Sequence, residues 1–471
     1  MDPVGTAVPY LETDVLRTTG YEHMGSRHHD TADRRTAAVD CLTAGIDAAH
    51  PRRVVEETVT LDDRGRTLVV DDTRIDLAAI DDVLVAGGGN AAGHVAAALE
   101  SILGDELDGG AVVTDDPVAV DRVSIREGTH PLPSSENVDG TRDVLAVADA
   151  AGADDLVLAV VTGGASALLA APAADVALSD LREVTEALLE RGADIESINA
   201  VRKHCSAVKG GRLAGRAGPA RVVGLVLSDV IGDPLGVIAS GPTAPDQTTY
   251  ADAIAVLEEY DVTPPSSVEA HLERGCDGDG ETPDADDPRV RTVDNHVLAN
   301  ADTAIEGAAR EAAASGYDPV VLSTRVRGEA RAAATTHVAV AEEIAATGRP
   351  VEPPAAVLSG GETTVTVRGD GDGGPNLEFS LQGALELDPD APIVLGSVDT
   401  DGFDGGTDVA GAVVDGETVT DRGAATAVLR ENDAGGFFAG RGELVRTGAT
   451  GTNVNDLRIL VVDDPDDYDD E

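Results

Sequence analysis

Two α/β domains are predicted by this sequence, and three features carry that expectation. Its strand candidates are short, continuously apolar runs. Helical segments separate them, and a Gly-, Asp- and Pro-rich stretch divides the chain. The runs Val83–Ala86, Ala111–Val113, Leu156–Val161 and Val222–Leu227 show no polar/apolar alternation, and helical patterns near 91–103, 136–150, 179–191 and 196–216 lie between or after them. Strands that are apolar on both sides and separated by helices belong to a parallel sheet covered on both faces.

The elements follow in chain order. Residues 1–30 are expected to be poorly ordered, and Met24, the only other methionine, is a candidate true start. Folded sequence begins near Thr31, where Ala37, Val39, Leu42, Ile46 and Ala49 recur at helical spacing. An N-terminal domain is expected over 31–285, closing in the linker-like stretch 275–288. A C-terminal α/β region over 289–463 carries strand candidates near 319–323, 356–359, 363–368, 393–398 and 457–462, before an acidic tail at 464–471. Leu156–Ala174 has no charged residue across 19 positions, but Gly163-Gly164-Ala165-Ser166 interrupts it. A buried strand, turn and helix is expected there, not a membrane span.

The formal net charge is -53, from 87 acids and 34 bases, with 42 % hydrophobic residues. This is a globular composition, not that of a disordered acidic chain. Such charge would strain a compact fold at low salt. In molar salt the Debye length falls to about 3 Å and the repulsion is screened. A salt-accumulating, halophilic archaeal host fits, and nucleic acid or an anionic membrane does not fit as a partner. Lowering KCl below roughly 0.1 M, where the Debye length reaches about 10 Å, is therefore expected to unfold or inactivate the protein. Unchanged melting at low salt would assign the charge another purpose. Three scattered cysteines, Cys41, Cys205 and Cys276, form neither a disulfide framework nor a metal pair, so a reducing cytoplasm is expected.

Lys203 and Lys209 are the only lysines among 34 basic residues. An ammonium is a compact charge with three rotatable donors, suited to phosphate. On one continuous helix the pair would lie about 120° apart, since six residues turn about 600°. For both to reach one site the backbone must break near Ser206, and that break is expected.

Glycine-rich loops follow the strand candidates: Gly87-Gly88-Gly89-Asn90, Thr162-Gly163-Gly164-Ala165-Ser166 and Ser228-Asp229-Val230-Ile231-Gly232-Asp233. Such loops let backbone N–H groups approach an anion at the carboxyl ends of strands, where ligands of open sheets bind. Lys203, Lys209, Asp229 and Asp233 are the catalytic candidates. Gly88, Gly89, Asn90, Gly163, Gly164, Ser166, Arg202 and Ser228 are the binding candidates. His130, between Gly128 and two prolines, reads as structural. Gly87-x-Gly89-x-x-Ala92 with Asp115 or Asp116 also admits a dinucleotide site, hence an NAD(P)-dependent reductase. No Walker motif is present. Asp399, Asp401, Asp404 and Asp408 cluster after a strand and could hold Mg²⁺ with phosphate oxygens.

Together the segments resemble the glycerate 2-kinase family with a C-terminal MOFRL domain, whose members are often labelled hydroxypyruvate reductases. The resemblance covers about Thr31 to Val462. It rests on Thr162–Leu169, Asn199–Gly211, Ser228–Thr243, Gly360–Thr364, Asn376–Phe379, Asp401–Asp408 and Gly451–Asp456. It implies a Rossmann-like N-terminal domain, a MOFRL-like domain at about 355–463, and an active site in the cleft between domains. It implies phosphorylation of D-glycerate at its 2-hydroxyl with ATP and Mg²⁺, the metal on Asp229, Asp401 and Asp404. Glu362, Asn376, Glu378, Asn453 and Asn455 join the binding candidates on the same ground. A homodimer is admitted without being indicated. Two positions depart from the family: Asn90 stands where it has lysine, and Pro375 where it has arginine. Lys203, Lys209, Arg202 and Arg212 are the candidate replacements, and Arg325 and Arg327 could also supply charge from the second domain. A reductase, or a ligand-binding homologue impaired in catalysis, are the alternatives.

Overall fold

A computed structural model describes residues 26–464 apart from 63, 174 and 279. The candidate start at Met24 and nearly all of the acidic tail lie outside the described residues. The chain forms two compact units: one is Pro51–Leu298, and the other joins the chain up to His50 with Ala299 onward.

The chain opens with α1 (Ser26–Ala48), whose Ala37, Leu42 and Ile46 are buried as the spacing predicts. This helix packs on the second unit, not the first. Its Arg35 pairs with Asp415 at 2.7 Å and Arg34 with Asp463 at 2.9 Å. The expected domain limits of 31–285 and 289–463 therefore differ from the compact units at both ends.

In the Pro51–Leu298 unit, α2 (Pro51–Thr58) leads into a small antiparallel sheet of β1 (Val59–Leu61), β2 (Thr67–Val70) and β3 (Thr73–Asp76). The main sheet contains β4 (Val83–Gly88), β5 (Gly109–Thr114), β6 (Val123–Glu127), β7 (Leu156–Val161), β8 (Arg221–Leu227) and β9 (Asp294–Ala299). Their order is β6-β5-β4-β7-β8-β9, and the four pairings from β6 to β8 are parallel. β7 is buried at every residue, as its uninterrupted apolar run predicts. Helices α3 (Ala92–Leu103) and α4 (Ser135–Ala150) follow β4 and β6. α4 packs on the face that carries Ala86, Val113, Val157 and Ala159, and α3 lies against the same strands from the other side.

After β7 come α5 (Ala165–Leu168), α6 (Leu178–Glu190), α7 (Ile195–His204) and α8 (Arg212–Ala217). The predicted 196–216 helix is thus two helices, with the break at 205–211 spanning Ser206. α9 (Tyr250–Glu259) and α10 (Ser266–Cys276) share an apolar cluster with α6 and α7, built around Leu188, Val201, Tyr250 and Leu272. The stretch expected to be a linker is anchored within this unit. Glu281 accepts from the backbone N–H of Tyr250 and meets His204 at 2.9 Å, before α11 (Pro288–Arg291) and β9 complete the unit. Leu156–Ala174 is buried strand and helix, and no described helix is long and apolar enough to cross a membrane.

The second unit adds α12 (Ala301–Ala314), β10 (Asp318–Glu329), α13 (Ala330–Thr347), β11 (Ala355–Thr364) and α14 (Pro375–Glu386). It continues with β12 (Ile393–Asp399), β13 (Gly411–Asp415), α15 (Arg422–Arg430), α16 (Ala434–Phe438), β14 (Leu444–Val445) and β15 (Asp456–Val462). The sheet order is β10-β11-β15-β12-β13-β14, with β10–β11 parallel and the other pairings antiparallel. Two expectations are corrected here. Gly360 and Gly361 do not separate two strands but lie within β11, which runs on from the candidate 356–359, and the candidate strand 363–368 ends at Thr364.

Candidate active site

A cavity of about 460 Å³ opens in the Pro51–Leu298 unit beside the carboxyl ends of β7 and β8. Gly164 and Ser166 after β7, and Asp229 after β8, contribute to its floor. α6 contributes Leu181, Arg182, Thr185, Glu186 and Leu189, the i, i+4 and i+8 face of a helix. α7 contributes Ile195, Asn199 and Arg202, and the break beyond it adds Ser206 and Lys209.

The break is what brings Lys209 to the cavity. The backbone leaves α7 at Cys205 and turns through Gly210 (φ +56) before α8 begins. A Cβ on Gly210 would lie 2.9 Å from the Asp246 carboxylate, so glycine is needed for space as well as for φ. The N–H groups of Gly210 and Gly211 donate to the carbonyls of Ser240 and Gly241 at 3.0 and 2.6 Å. Ala239, Ser240 and Gly241 all have φ between 55° and 65°, a left-handed turn that costs on the order of 1–3 kcal/mol at each non-glycine residue. The turn aims Ser240 Oγ at Asn199 Oδ1 (3.0 Å) and at Ser166 Oγ (3.2 Å), tying three elements of the cavity wall together.

Lys209 Nζ donates to the carbonyl oxygens of Ser166 at 2.8 Å and Leu169 at 3.3 Å. Burial, and then the neighbouring Arg202, pull its pKa down to about 7. Burial likewise lowers Arg202. Arg182 Nε is buried without a hydrogen-bond partner. Among the described residues, no carboxylate is within ion-pairing distance of Arg182, Arg202 or Lys209. Asp229 faces the same space with its carboxyl pushed up by burial, against the opposing pull of backbone N–H groups and His130. A Cβ on Gly163 would lie 2.7 Å from Asp229 Oδ2, so the glycine makes room for the carboxylate.

The remaining candidates fall elsewhere. Lys203 is buried at the end of α7 and pairs with Asp246 at 3.1 Å, outside the cavity lining. Arg212 donates to Tyr250 Oη at 3.1 Å. Gly88 and Gly89 end β4, and Asn90 Nδ2 donates to both oxygens of Asp115 at 2.9 and 2.8 Å. That bond occupies one of the two acids offered for a dinucleotide ribose, and the other, Asp116, meets His94 at 3.0 Å. Ser228 Oγ accepts from the N–H of Val230, and Asp233 N–H donates to Val230 O, shaping the loop that carries Asp229.

In the second unit Asn376, Glu378 and Asp404 belong to a buried polar network. Asp404 accepts from the N–H groups of Asn376 (2.9 Å) and Leu377 (2.7 Å), so it caps α14 from another loop. Pro375 sits at the first turn of α14, where its missing N–H costs nothing. Asn376 Nδ2 reaches Asp456 at 2.7 Å, and Glu378 is held by Arg331 (2.6 Å) and Asn432 (2.7 Å). Asn453 Oδ1 accepts from the N–H of Asn455, and Glu362 is exposed on β11. Burial and the neighbours Asp401 and Asp456 raise the Asp399 carboxyl well above its usual range.

Sequence reasoning missed Arg182, Asn199 and Ser240. The signal for Asn199 was present: Ile195, Asn199, Arg202 and Ser206 recur at spacings of 4, 3 and 4.

A parallel α/β unit with three cations and two carboxylates, Glu186 and Asp229, around a strand-end cavity is joined in one chain to a mixed α/β unit. Residues 37–273 match the family described as "Domain of unknown function (DUF4147)", and residues 355–456 match the MOFRL family. A D-glycerate 2-kinase of Thermotoga maritima is 37 % identical over 440 residues, covering 92 % of this chain and 99 % of the relative. A glycerate 2-kinase of Pyrococcus horikoshii is 37 % identical, covering 91 % and 98 %. A crystal structure of a glycerate kinase from Thermotoga maritima matches with a TM-score of 0.81 and 38 % identity, covering 91 % of this chain and 99 % of that one. The chain belongs to the glycerate 2-kinase family with a MOFRL domain.

Proposed function

We propose that this protein is a glycerate 2-kinase that transfers a phosphoryl group from ATP to the 2-hydroxyl of D-glycerate. The observation that carries the chemistry is the company kept by three cations. In a chain with 87 acids, Arg182, Arg202 and Lys209 share one cavity, and none has a carboxylate partner among the described residues. Burying cations without counter-charge is costly, so the arrangement favours an anionic ligand that supplies the charge. Phosphoryl transfer needs positioning and charge neutralisation more than covalent chemistry. Lys209 and Arg202 supply the positive charge that Asn90 and Pro375 do not. Asp229, kept basic by its burial, orients the acceptor hydroxyl and takes its proton.

Mg²⁺ suits the oxygen donors of Asp399 and Asp401, whose mutual repulsion a divalent cation would relieve. Asp404 fits less well, because its oxygens are committed to α14. Held by Asp399 and Asp401, Mg²⁺ would supply screening of phosphate charge.

Assayed in molar KCl with ATP, Mg²⁺ and D-glycerate, the protein is expected to form ADP and 2-phosphoglycerate. With NADH and hydroxypyruvate it is expected to do nothing. Absence of ADP above background across several hydroxy acids would overturn the reading.

A further inference from the structure

The cavity has two chemically different ends. The four-residue connection from α6 to α7 makes the helices antiparallel neighbours. Their cavity faces therefore run in register, from Leu189 and Ile195 at one end to Arg182, Arg202 and Lys209 at the other. From Ile195 to Arg202 the helix rises about 10 Å. The apolar end is open, with Leu189 56 % and Ile195 53 % exposed, and Leu132, 60 % exposed, lines the same cavity. Only eight large hydrophobic residues are exposed among the described residues, so this is a concentration. Clustered exposed apolar side chains at a cavity mouth mark a binding surface.

Glycerate is too small and too polar to use both ends. A nucleoside polyphosphate has the matching layout: a flat, weakly polar base at one end and anionic phosphates at the other. We infer that this cavity is the nucleotide subsite. The base rests against Leu189 and Ile195, and the phosphates run inward along Arg182 and Arg202 to Lys209. Thr185 and Asn199, between the two ends, offer hydrogen bonds to a ribose. Glu186 also lines the cavity, one helical turn from Arg182 on α6. The inference rests on the kinase reading only for the choice of a nucleotide as ligand.

ADP binding to the full chain in molar KCl, measured by calorimetry, tests this without requiring turnover. Leu189→Asp and Ile195→Asp place a charge where the base would rest, at exposed positions that folding does not depend on. Each is expected to weaken ADP at least tenfold and to change the KM for D-glycerate less than twofold. Val367→Asp, an exposed hydrophobic residue of the other unit, is the control and is expected to change neither. An 8-azido-ADP photolabel is expected on the 181–199 peptide. Should either variant melt early, the photolabel on the unaltered chain decides. Unchanged ADP affinity in both folded variants, or labelling elsewhere, overturns the inference. A loss confined to glycerate would make the cavity the acceptor site instead. ADP binding that is lost in these variants, in a protein that never phosphorylates glycerate, would leave the inference standing and remove the proposed reaction.

Discussion

Asp229→Asn is expected to lower kcat for glycerate phosphorylation by about 10²–10³-fold, within the range for loss of a positioned proton acceptor. The substitution keeps shape and hydrogen-bonding oxygen but removes the basic group. The melting temperature is expected to stay the same or rise slightly, because a buried carboxylate that is raised by desolvation is a cost to the fold. The sign of the pH dependence follows. A raised carboxyl titrates above the ordinary acid range, so the kcat of the parent enzyme is expected to fall on the acid side, and Asp229→Asn is expected to remove that limb. A variant within twofold of the parent rate would exclude Asp229 from proton transfer. Gly163→Ala gives an independent approach, because the added methyl group presses on the Asp229 carboxylate without changing its chemistry.

Much of the first sheet was legible because burial on both faces leaves a plain signature. β4, β5, β7 and β8 are apolar at consecutive positions, and no solvated element of that length reads the same way. β6 and β9 were not legible for the opposite reason. They hold the two edges of the sheet and carry residues such as Ser124, Arg126, Asp294 and Asn295, so their pattern resembles loop. The 275–288 stretch has a linker's composition, yet Glu281 binds it to α7 and α9. Such a tie depends on a tertiary partner and leaves no local trace. The same holds for α1, whose amphipathic pattern was clear but whose partner, the second unit, was not.

At the site, residue types were legible but pairing was not. Lysine scarcity pointed to the segment from 199 to 212, and helical geometry predicted its break. Which lysine would face the cavity depended on where the acids lie. Asp246, 43 residues from Lys203, claims one, and no acid among the described residues claims the other. Asn90 shows the same limit. Its replacement of a cation reads as a lost catalytic group until Asp115 is seen to accept both of its bonds.

The two lysines are therefore expected to separate stability from activity. Lys203→Met leaves Asp246 buried without its partner, a loss of about 3–5 kcal/mol for a broken buried pair. That variant is expected to melt much earlier while its KM for ATP stays within about twofold in the range where it is folded. Lys209→Met removes a buried ammonium that has no counter-charge, so its melting temperature is expected to hold or rise, while kcat/KM falls by about 10²–10³-fold. The Lys209 pKa of about 7 adds a second readout. The protonated form binds the anion, so ADP affinity is expected to weaken as pH rises above 7, by about tenfold per unit at the limit. Between pH 7 and 9 the nucleotide phosphates are largely ionised, so the step belongs to the protein. Arg182, Arg202, Asp229, Glu186 and His130 share the cavity, and His130 is the group to control for. His130→Asn is expected to leave the step in place. Binding must also take up a proton, visible as a buffer-dependent enthalpy. Lys209→Arg keeps a charge at every pH and abolishes the step. It is still expected to lower activity, because a planar fork does not fit the point charge held between the carbonyls of Ser166 and Leu169. ADP affinity that is flat from pH 7 to 9 in the parent, or a parent-like rate in Lys209→Arg, would remove Lys209 from the site.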